Sequence, residues 1–262
     1  MAIEVFNRYE NKFLMDDTTY GRILDRLLDD MELDEYNKTH EFYTISNIYY
    51  DTKDNYLIRT SVSKPVYKEK LRLRAYGIPG PDSKVYLEIK KKFNGLTNKR
   101  RTSIRLDTAY DFVNTGMKPE IKENMNRQVI NEIEYLLSLY RPEPKLYLAY
   151  DRKALFGRGE QDLRITFDTN IRTRRDDLRL ESGDHGEALL EPGQWLMEVK
   201  VGKSIPCWLS QLLSDYRIYR IGFSKYGREY NRYLSNCINR KGVNNPCLNH
   251  FSVQPQLIPQ YL

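Results

Sequence analysis

Polar and apolar residues alternate with a period of two in several short stretches of this chain. The clearest are Lys70-Leu71-Arg72-Leu73-Arg74, Leu87-Glu88-Ile89-Lys90, Leu163-Arg164-Ile165-Thr166-Phe167-Asp168 and Met197-Glu198-Val199-Lys200. Successive side chains on a strand point to opposite faces, so each stretch predicts one apolar face and one ionic face. Further strands are predicted over Val5 to Leu14, with Arg8, Glu10 and Lys12 on one face, and over Phe42 to Asp51. Three more run over 66–76, 84–93 and 98–106, joined by Gly77-Ile78-Pro79-Gly80-Pro81 and Asn94-Gly95, and their closeness predicts an antiparallel meander. Strands return over 145–156, 161–173 and 194–202.

Helical spacing appears between them. Asp16 or Asp17 can cap a helix carrying Tyr20, Ile23, Leu24, Leu27, Leu28 and Met31, and a short helix is expected near Asn55 to Thr60. A long helix over about 119–140 would place Met125, Val129, Ile133, Leu136, Leu137 and Tyr140 together. Pro206 starts a helix with Trp208, Leu209, Leu212, Leu213 and Tyr216, and a last helix covers 225–240. Arg174 to Pro192 is a polar excursion. No internal repeat or domain boundary is visible, so the expected organisation is one domain over 1–240 followed by an irregular tail over 241–262.

An open sheet with a wetted face usually mixes Thr, Ser, Gln and both charge signs on that face. Here the face repeatedly draws Arg and Lys with an occasional Glu. A closed antiparallel barrel, apolar outside under helices and cationic inside, is the α+β fold this pattern predicts; it would line a tunnel for a polyanion. The formal net charge of +6 by itself implies only some anionic partner. With 30% charged and 40% hydrophobic residues the chain reads as globular; no apolar stretch reaches the roughly 20 residues a membrane helix needs, and no signal peptide is apparent. Cys207, Cys237 and Cys247 lack metal-ligand spacing and read as reduced thiols in a cytoplasmic protein. His40, His185 and His250 are scattered, which argues against zinc and against histidine catalysis. The aromatic residues mostly alternate away from the cations, whereas a stacking nucleic-acid platform would interleave the two; no nucleic-acid partner is expected.

Taken in order, Arg8-Tyr9-Glu10-Asn11-Lys12, Tyr49-Tyr50-Asp51-Thr52, Lys70-Leu71-Arg72-Leu73-Arg74, Leu87-Glu88-Ile89-Lys90, Lys99-Arg100-Arg101, Arg164-Ile165-Thr166-Phe167-Asp168, Met197-Glu198-Val199-Lys200 and Phe223-Ser224-Lys225-Tyr226 carry a family resemblance. Over roughly residues 4–235 the chain resembles the polyphosphate polymerase domain of the vacuolar transporter chaperone proteins, a branch of the triphosphate tunnel metalloenzymes (CYTH superfamily). The resemblance implies a tunnel barrel that elongates polyphosphate from the γ-phosphate of ATP with Mn2+ or Mg2+. It implies phosphate binding by Lys12, Arg72, Arg74, Lys90, Lys99, Arg101, Arg152, Arg164 and Lys200, with Lys225, Lys200 and Arg164 at the transferred phosphate. Two departures stand out. The sensing domain and membrane helices of the eukaryotic members have no counterpart here, and the first strand reads Arg-x-Glu-x-Lys where hydrolytic relatives favour Glu-x-Glu-x-Lys. Losing that carboxylate favours the polymerase branch.

The chemistry suits these residue types. Phosphoryl transfer needs positioning and charge neutralisation, Arg offers a planar fork and Lys a compact charge. One or two carboxylates suffice to hold a hard cation that also binds phosphate oxygens, which makes Glu198 and Glu10 the metal candidates, while Glu88 can instead pair with a neighbouring Lys. Bland alternatives accompany several sites: Arg152 as an ion-pair partner of Asp151, Lys225 as a helix cap, Arg100 and Arg101 as solvent-exposed beside a turn, and Arg172-Thr173-Arg174-Arg175 and Arg240-Lys241 as surface charge. A ring of cations with no ligand would repel itself, so removing Arg72 or Arg164 should leave stability unchanged or raised. Two other functions compete with synthesis: tripolyphosphate or nucleoside triphosphate hydrolysis in the same tunnel, and non-catalytic polyanion binding.

Overall fold

The computed structural model describes residues 5–160 and 162–240. Strand β1 (Val5–Asp16) runs into helix α1 (Asp17–Asp30), then come β2 (Met31–Leu33), α2 (Glu35–Thr39), β3 (Tyr43–Asp51) and α3 (Tyr56–Val62). The meander β4 (Tyr67–Tyr76), β5 (Lys84–Phe93) and β6 (Leu96–Arg105) leads to α4 (Leu106–Thr115) and α5 (Arg127–Tyr140). The chain closes with β7 (Glu143–Gly157), β8 (Arg164–Arg174), β9 (Glu187–Ala188), β10 (Gln194–Val201), α6 (Cys207–Asp215) and α7 (Lys225–Arg240).

All strand pairings are antiparallel, in the order β2-β7-β3-β4-β5-β6-β1-β10-β8-β9. A further pairing of β7 with β8, from Tyr147 opposite Arg174 to Phe156 opposite Arg164, returns the sheet to its own edge. Strands β1, β3 to β8 and β10 thereby encircle a central cavity. Period-two alternation makes this possible: Leu71, Leu73, Leu87, Ile89, Ile165, Met197 and Val199 face outward into apolar packing, and the charged positions between them face in.

Helices cover the outer face in two places. The outward residues of β4, β5 and β6 pack under α4 and α5 through Phe112, Val113, Ile130, Ile133 and Leu137. Those of β1, β8 and β10 pack under α1 and α6 through Ile23, Leu27, Leu209 and Leu213. Each such side chain contributes about 1.5–3 kcal/mol by leaving water. Local signals set the helix ends. Thr19 N–H donates to Asp16 Oδ1 (2.8 Å) at the start of α1, and Val129 N–H donates to Asn126 Oδ1 (3.1 Å) at the start of α5. Gly116, at φ +72°, ends α4. The β5–β6 hairpin turns on Asn94 (φ +43°) and Gly95 (φ +88°), the left-handed pair that a two-residue hairpin requires.

A third cluster lies where α3 and α7 meet the inside of the barrel: Ile58, Tyr226 and Tyr230 pack on Ile45, Tyr49, Leu148 and Leu196. The motif Tyr49-Tyr50-Asp51-Thr52 serves this junction. Buried Asp51 accepts from Leu57 N–H (2.8 Å), Ile58 N–H (2.9 Å) and the Tyr226 hydroxyl (3.2 Å), tying β3 to the starts of both helices.

Several expectations need correction. The long helix starts at Arg127, not near 119, and a separate helix α4 follows β6 directly; Asn126 caps α5, so the preceding residues are held as loop, with Met125 packed on the core from outside the helix. The short β2, α2 and β9 were not anticipated. Arg172 and Arg174 are buried rather than surface charge. Arg174 lies over the Tyr147 ring at 3.5 Å and donates to the carbonyls of Asp177, Arg179, Gly183 and His185, so it organises the polar excursion as a folded loop. The tail over 241–262, with Cys247 and His250, lies outside the described residues. Among the described residues, no helix is long and apolar enough to cross a membrane. Cys207 and Cys237 are free thiols.

Candidate active site

The strands bring their ionic faces together around a cavity of about 770 Å3. Its lining includes Lys12, Arg72, Arg74, Lys90, Lys99 and Arg101, with Arg152, Arg164, Lys200 and Lys225, so every cation singled out from sequence reaches it, and Glu10 and Glu198 do too. Register explains the convergence. Lys70 stands opposite Lys90, and Lys90 opposite Lys99, so three lysines face one another across β4, β5 and β6. Like charges directly opposed destabilise a sheet, and the pairs of Lys90 with Glu10 and Lys99 with Glu88 offset part of that cost here.

Carboxylates hold the cations apart in a set pattern. Glu88, with no exposed surface, accepts from Arg72 Nε (2.7 Å) and Lys99 Nζ (3.3 Å) and lies 3.7 Å from Arg74 Nε. Arg74 also donates to Asn47 Oδ1 (3.0 Å) and the Tyr150 hydroxyl (3.2 Å), and Arg72 to the Tyr49 hydroxyl (3.1 Å). Arg152 forms a two-pronged pair with Asp168 (2.6 and 2.8 Å), not with Asp151 as its neighbour in sequence suggested. Lys225 enters from the first turn of α7 and donates to Asp168 (2.5 Å) and Glu198 (3.1 Å); it is buried in the wall rather than capping its helix. Glu198 also faces Lys12 and Lys200, each at 3.2 Å, and Glu10 accepts from Lys90 (2.8 Å). Arg164 lies over the Phe156 ring (4.8 Å) and 3.8 Å from Asp34, with its Nε buried and without a hydrogen-bond partner. Arg100, by contrast, points outward and pairs with Glu132.

The electrostatics follow from burial and these partners. Burial alone would raise Glu88, Asp168 and Glu198, but the facing arginines and lysines outweigh it and hold all three below the ordinary carboxylate range. Glu10 is brought down to about 2 in the same way, chiefly by Lys90. Burial pulls Lys70, Lys99 and Lys200 down to about 7; neighbouring Lys90 adds to the effect on Lys70, while Glu88 and Glu198 only partly offset it for the other two. Lys225 moves the other way: burial opposes its charge, but Asp168 and Glu198 raise it above its ordinary value.

Asp168, Lys70, Asn47 and Tyr150 were missed as site residues. Asp168 and Lys70 continue the same alternation as Arg164 and Arg72, so the signal was present; Asn47 and Tyr150 are uncharged positions of the inward face and carry none. The self-repulsion expected of the tunnel is also corrected, since four carboxylates are built in against the cations. As for a divalent cation, no group of three or more His, Cys, Asp and Glu side chains is assembled among the described residues. Glu10 and Glu198 are diagonal neighbours across β1 and β10 (Glu10 opposite Lys200, Lys12 opposite Glu198), and each is already paired with lysine. Two such carboxylates fit a hard divalent cation that takes the rest of its shell from other oxygens; they do not make a dedicated protein cage.

A barrel whose cavity is lined by a dense set of lysines and arginines, with helices outside and at one end, defines a tunnel-fold protein for phosphate-rich anions. Residues 7–233 match the VTC domain, and the chain belongs to that family. Among solved structures, a Bacillus halodurans protein assigned provisionally as an adenylate cyclase is 14% identical, with 85% of this chain and 96% of that one aligned at a TM-score of 0.53; it shares the fold. A Hippeastrum protein assigned provisionally as an adenylyl cyclase and described as having a dominant triphosphatase activity is 13% identical over 95% of this chain and all of its own, at a TM-score of 0.44. Comparison with curated proteins gives no match.

Proposed function

We propose that the chain is an ATP-dependent polyphosphate polymerase. The observation that carries this reading is the continuity of the cationic lining along the barrel. On β4 alone the inward cations run from Lys68 to Arg74, about 20 Å at the usual rise per residue, which suits a linear phosphate chain rather than a single phosphate group. In this reading Arg72, Arg74, Arg101, Arg152 and Arg164 grip phosphoryl oxygens with planar forks, and Lys12, Lys90, Lys99 and Lys200 add compact charges. A terminal oxygen of the growing chain attacks the γ-phosphorus of ATP, the new P–O bond forms as the bond to the bridging β,γ-oxygen breaks, and ADP leaves. Lys225, kept protonated by Asp168 and Glu198, sits where negative charge must be neutralised during transfer. Glu10 and Glu198 would hold Mg2+ or Mn2+ together with substrate oxygens, and the ion would supply further neutralisation.

The test is incubation with ATP and Mn2+ or Mg2+, with and without a short polyphosphate primer, followed by gel staining and phosphate assay. Long chains and ADP are expected. ADP and orthophosphate with no chains would establish the hydrolase alternative, and no ATP consumption the binder. Arg164→Ala should slow synthesis by roughly 30- to 1000-fold, the loss of about 2–4 kcal/mol of charge-assisted stabilisation. Undiminished synthesis in this variant would remove Arg164 from the site.

A further inference from the structure

The inward positions change chemistry along the tunnel. At the end of the β5–β6 hairpin they are lysines: Lys68 and Lys70 on β4, Lys92 and Lys90 on β5. In the middle they are Arg72, Arg74, Glu88 and Arg101. At the opposite end rings appear, Tyr76 at the end of β4, Tyr43 at the start of β3 and Tyr86 on β5, where only Lys84, 5.8 Å from the Tyr86 ring, lies further out, and α2 adds Tyr36. Tyr43 and Tyr76 line the cavity. The Tyr36 and Tyr76 rings are parallel within 5° at 6.3 Å, Tyr43 lies 5.6 Å from Tyr36 and 6.1 Å from Tyr76, and Tyr86 meets Tyr76 edge-on at 5.9 Å.

This cluster is not hidden packing. Tyr36 is 62% exposed and Tyr76 43% exposed, and Tyr76 takes part in no side-chain hydrogen bond among the described contacts that would explain its place. Tyr43 is the anchored member, its hydroxyl donating to Asp34 (3.1 Å). The cluster adjoins the arginine belt: Tyr86 stands opposite Arg74, and the Arg101 guanidinium lies 4.7 Å from the centre of the Tyr86 ring. Exposed rings that abut a belt of phosphate-binding cations fit a ligand with a flat aromatic head and an anionic tail.

We propose that this mouth is a nucleoside-binding subsite, in which Tyr36 and Tyr76 stack the base of a nucleoside triphosphate whose phosphates run inward to Arg74 and Arg101. The inference rests on the reading of the tunnel as a triphosphate site and gives it a direction: nucleotide enters at the tyrosine end, and the lysine end is left for the phosphate polymer. Stacking is tolerant of base identity, so the subsite favours nucleoside triphosphates over inorganic phosphates more than it favours one base over another.

The test is calorimetric titration of the purified protein with β,γ-imido ATP, which is not turned over, and separately with inorganic tripolyphosphate. The Tyr36→Ala/Tyr76→Ala variant should bind the nucleotide about tenfold more weakly and tripolyphosphate within about twofold of wild type, because only the stacking contribution is removed. Tyr36→Phe/Tyr76→Phe should bind both as wild type does. Equal nucleotide affinity in the alanine variant, or a parallel loss for both ligands, overturns the subsite while leaving the tunnel reading intact. Wild-type protein that binds neither ligand overturns the tunnel reading and the subsite with it. Should the double variant fail to fold, Tyr36→Ala alone, on the exposed side of α2, is expected to weaken the nucleotide selectively, and unchanged affinity there overturns the proposal equally.

Discussion

At the scale of single residues, Glu88 shows why an anion tunnel needs carboxylates. Fully buried, it fixes the guanidinium of Arg72 and the ammonium of Lys99 in place, so the forks are oriented before a phosphate arrives. Arg72→Ala therefore does more than remove one cation from a crowd. It leaves a buried carboxylate short of its nearest partner, and breaking such a pair from one side is strongly destabilising. A loss on the order of 3 kcal/mol is expected in denaturant melts, moderated by Lys99 and Arg74. Adding Glu88→Gln to Arg72→Ala should recover part of it, since the orphaned charge is then gone. If Arg72→Ala melts like wild type, relief of repulsion outweighs the pair, and the view of Glu88 as the organiser of this wall fails.

At the scale of elements, strand identity was legible where alternation was strict. β4, β5, β8 and β10 each contain a stretch in which charged or polar residues alternate with apolar ones, and the faces read from those stretches are the faces seen. Helices α1 and α6 were equally plain from their apolar spacing and from Asp16 or Pro206 at their starts. What escaped was set by contacts distant in sequence. Arg152 chooses Asp168, sixteen residues away, because β7 pairs with β8 in that register; nothing local distinguishes this from a pair with Asp151. Arg174 is buried only because the loop after β8 folds its carbonyls onto the guanidinium. Asp51 belongs to the same class, a motif residue with a structural task. It joins β3 to the starts of α3 and α7, so Asp51→Ala should cost about 2–3 kcal/mol through lost capping and a lost buried hydrogen bond. Because Asp51 is not part of the cavity wall, tripolyphosphate affinity measured by titration should stay close to wild type; a large loss of affinity with unchanged stability would place Asp51 in the binding machinery instead.

At the scale of the whole molecule, the tunnel couples its charge state to its ligand. Lys70, Lys99 and Lys200 sit near 7 in the folded protein and at about 10.5 in the unfolded chain. Their folded values are depressed, so between pH 7 and 10.5 the unfolded chain binds more protons than the folded one. Stability therefore rises with pH through that window, and the penalty for charging these lysines is present in full below about pH 7. The carboxylates act on the acid side: Glu10, at about 2 when folded, contributes stability above its ordinary value of 4.5 that is lost as pH falls from there towards 2. A bound polyanion reverses the lysine effect by favouring their charged forms, so binding takes up protons above pH 7 and weakens as pH rises. Long-chain polyphosphate is the right probe because its internal phosphoryl groups keep one charge each across this range. Thermal melts of the free protein should climb from pH 7 to 9.5, and the added stabilisation by polyphosphate should be larger at pH 6.5 than at pH 9. Titration at pH 8 in two buffers of different ionisation enthalpy should reveal net proton uptake. A flat melting profile for the free protein, with the same polyphosphate shift at both pH values and no buffer dependence, would mean that the three lysines remain charged without ligand, held so by their carboxylate neighbours.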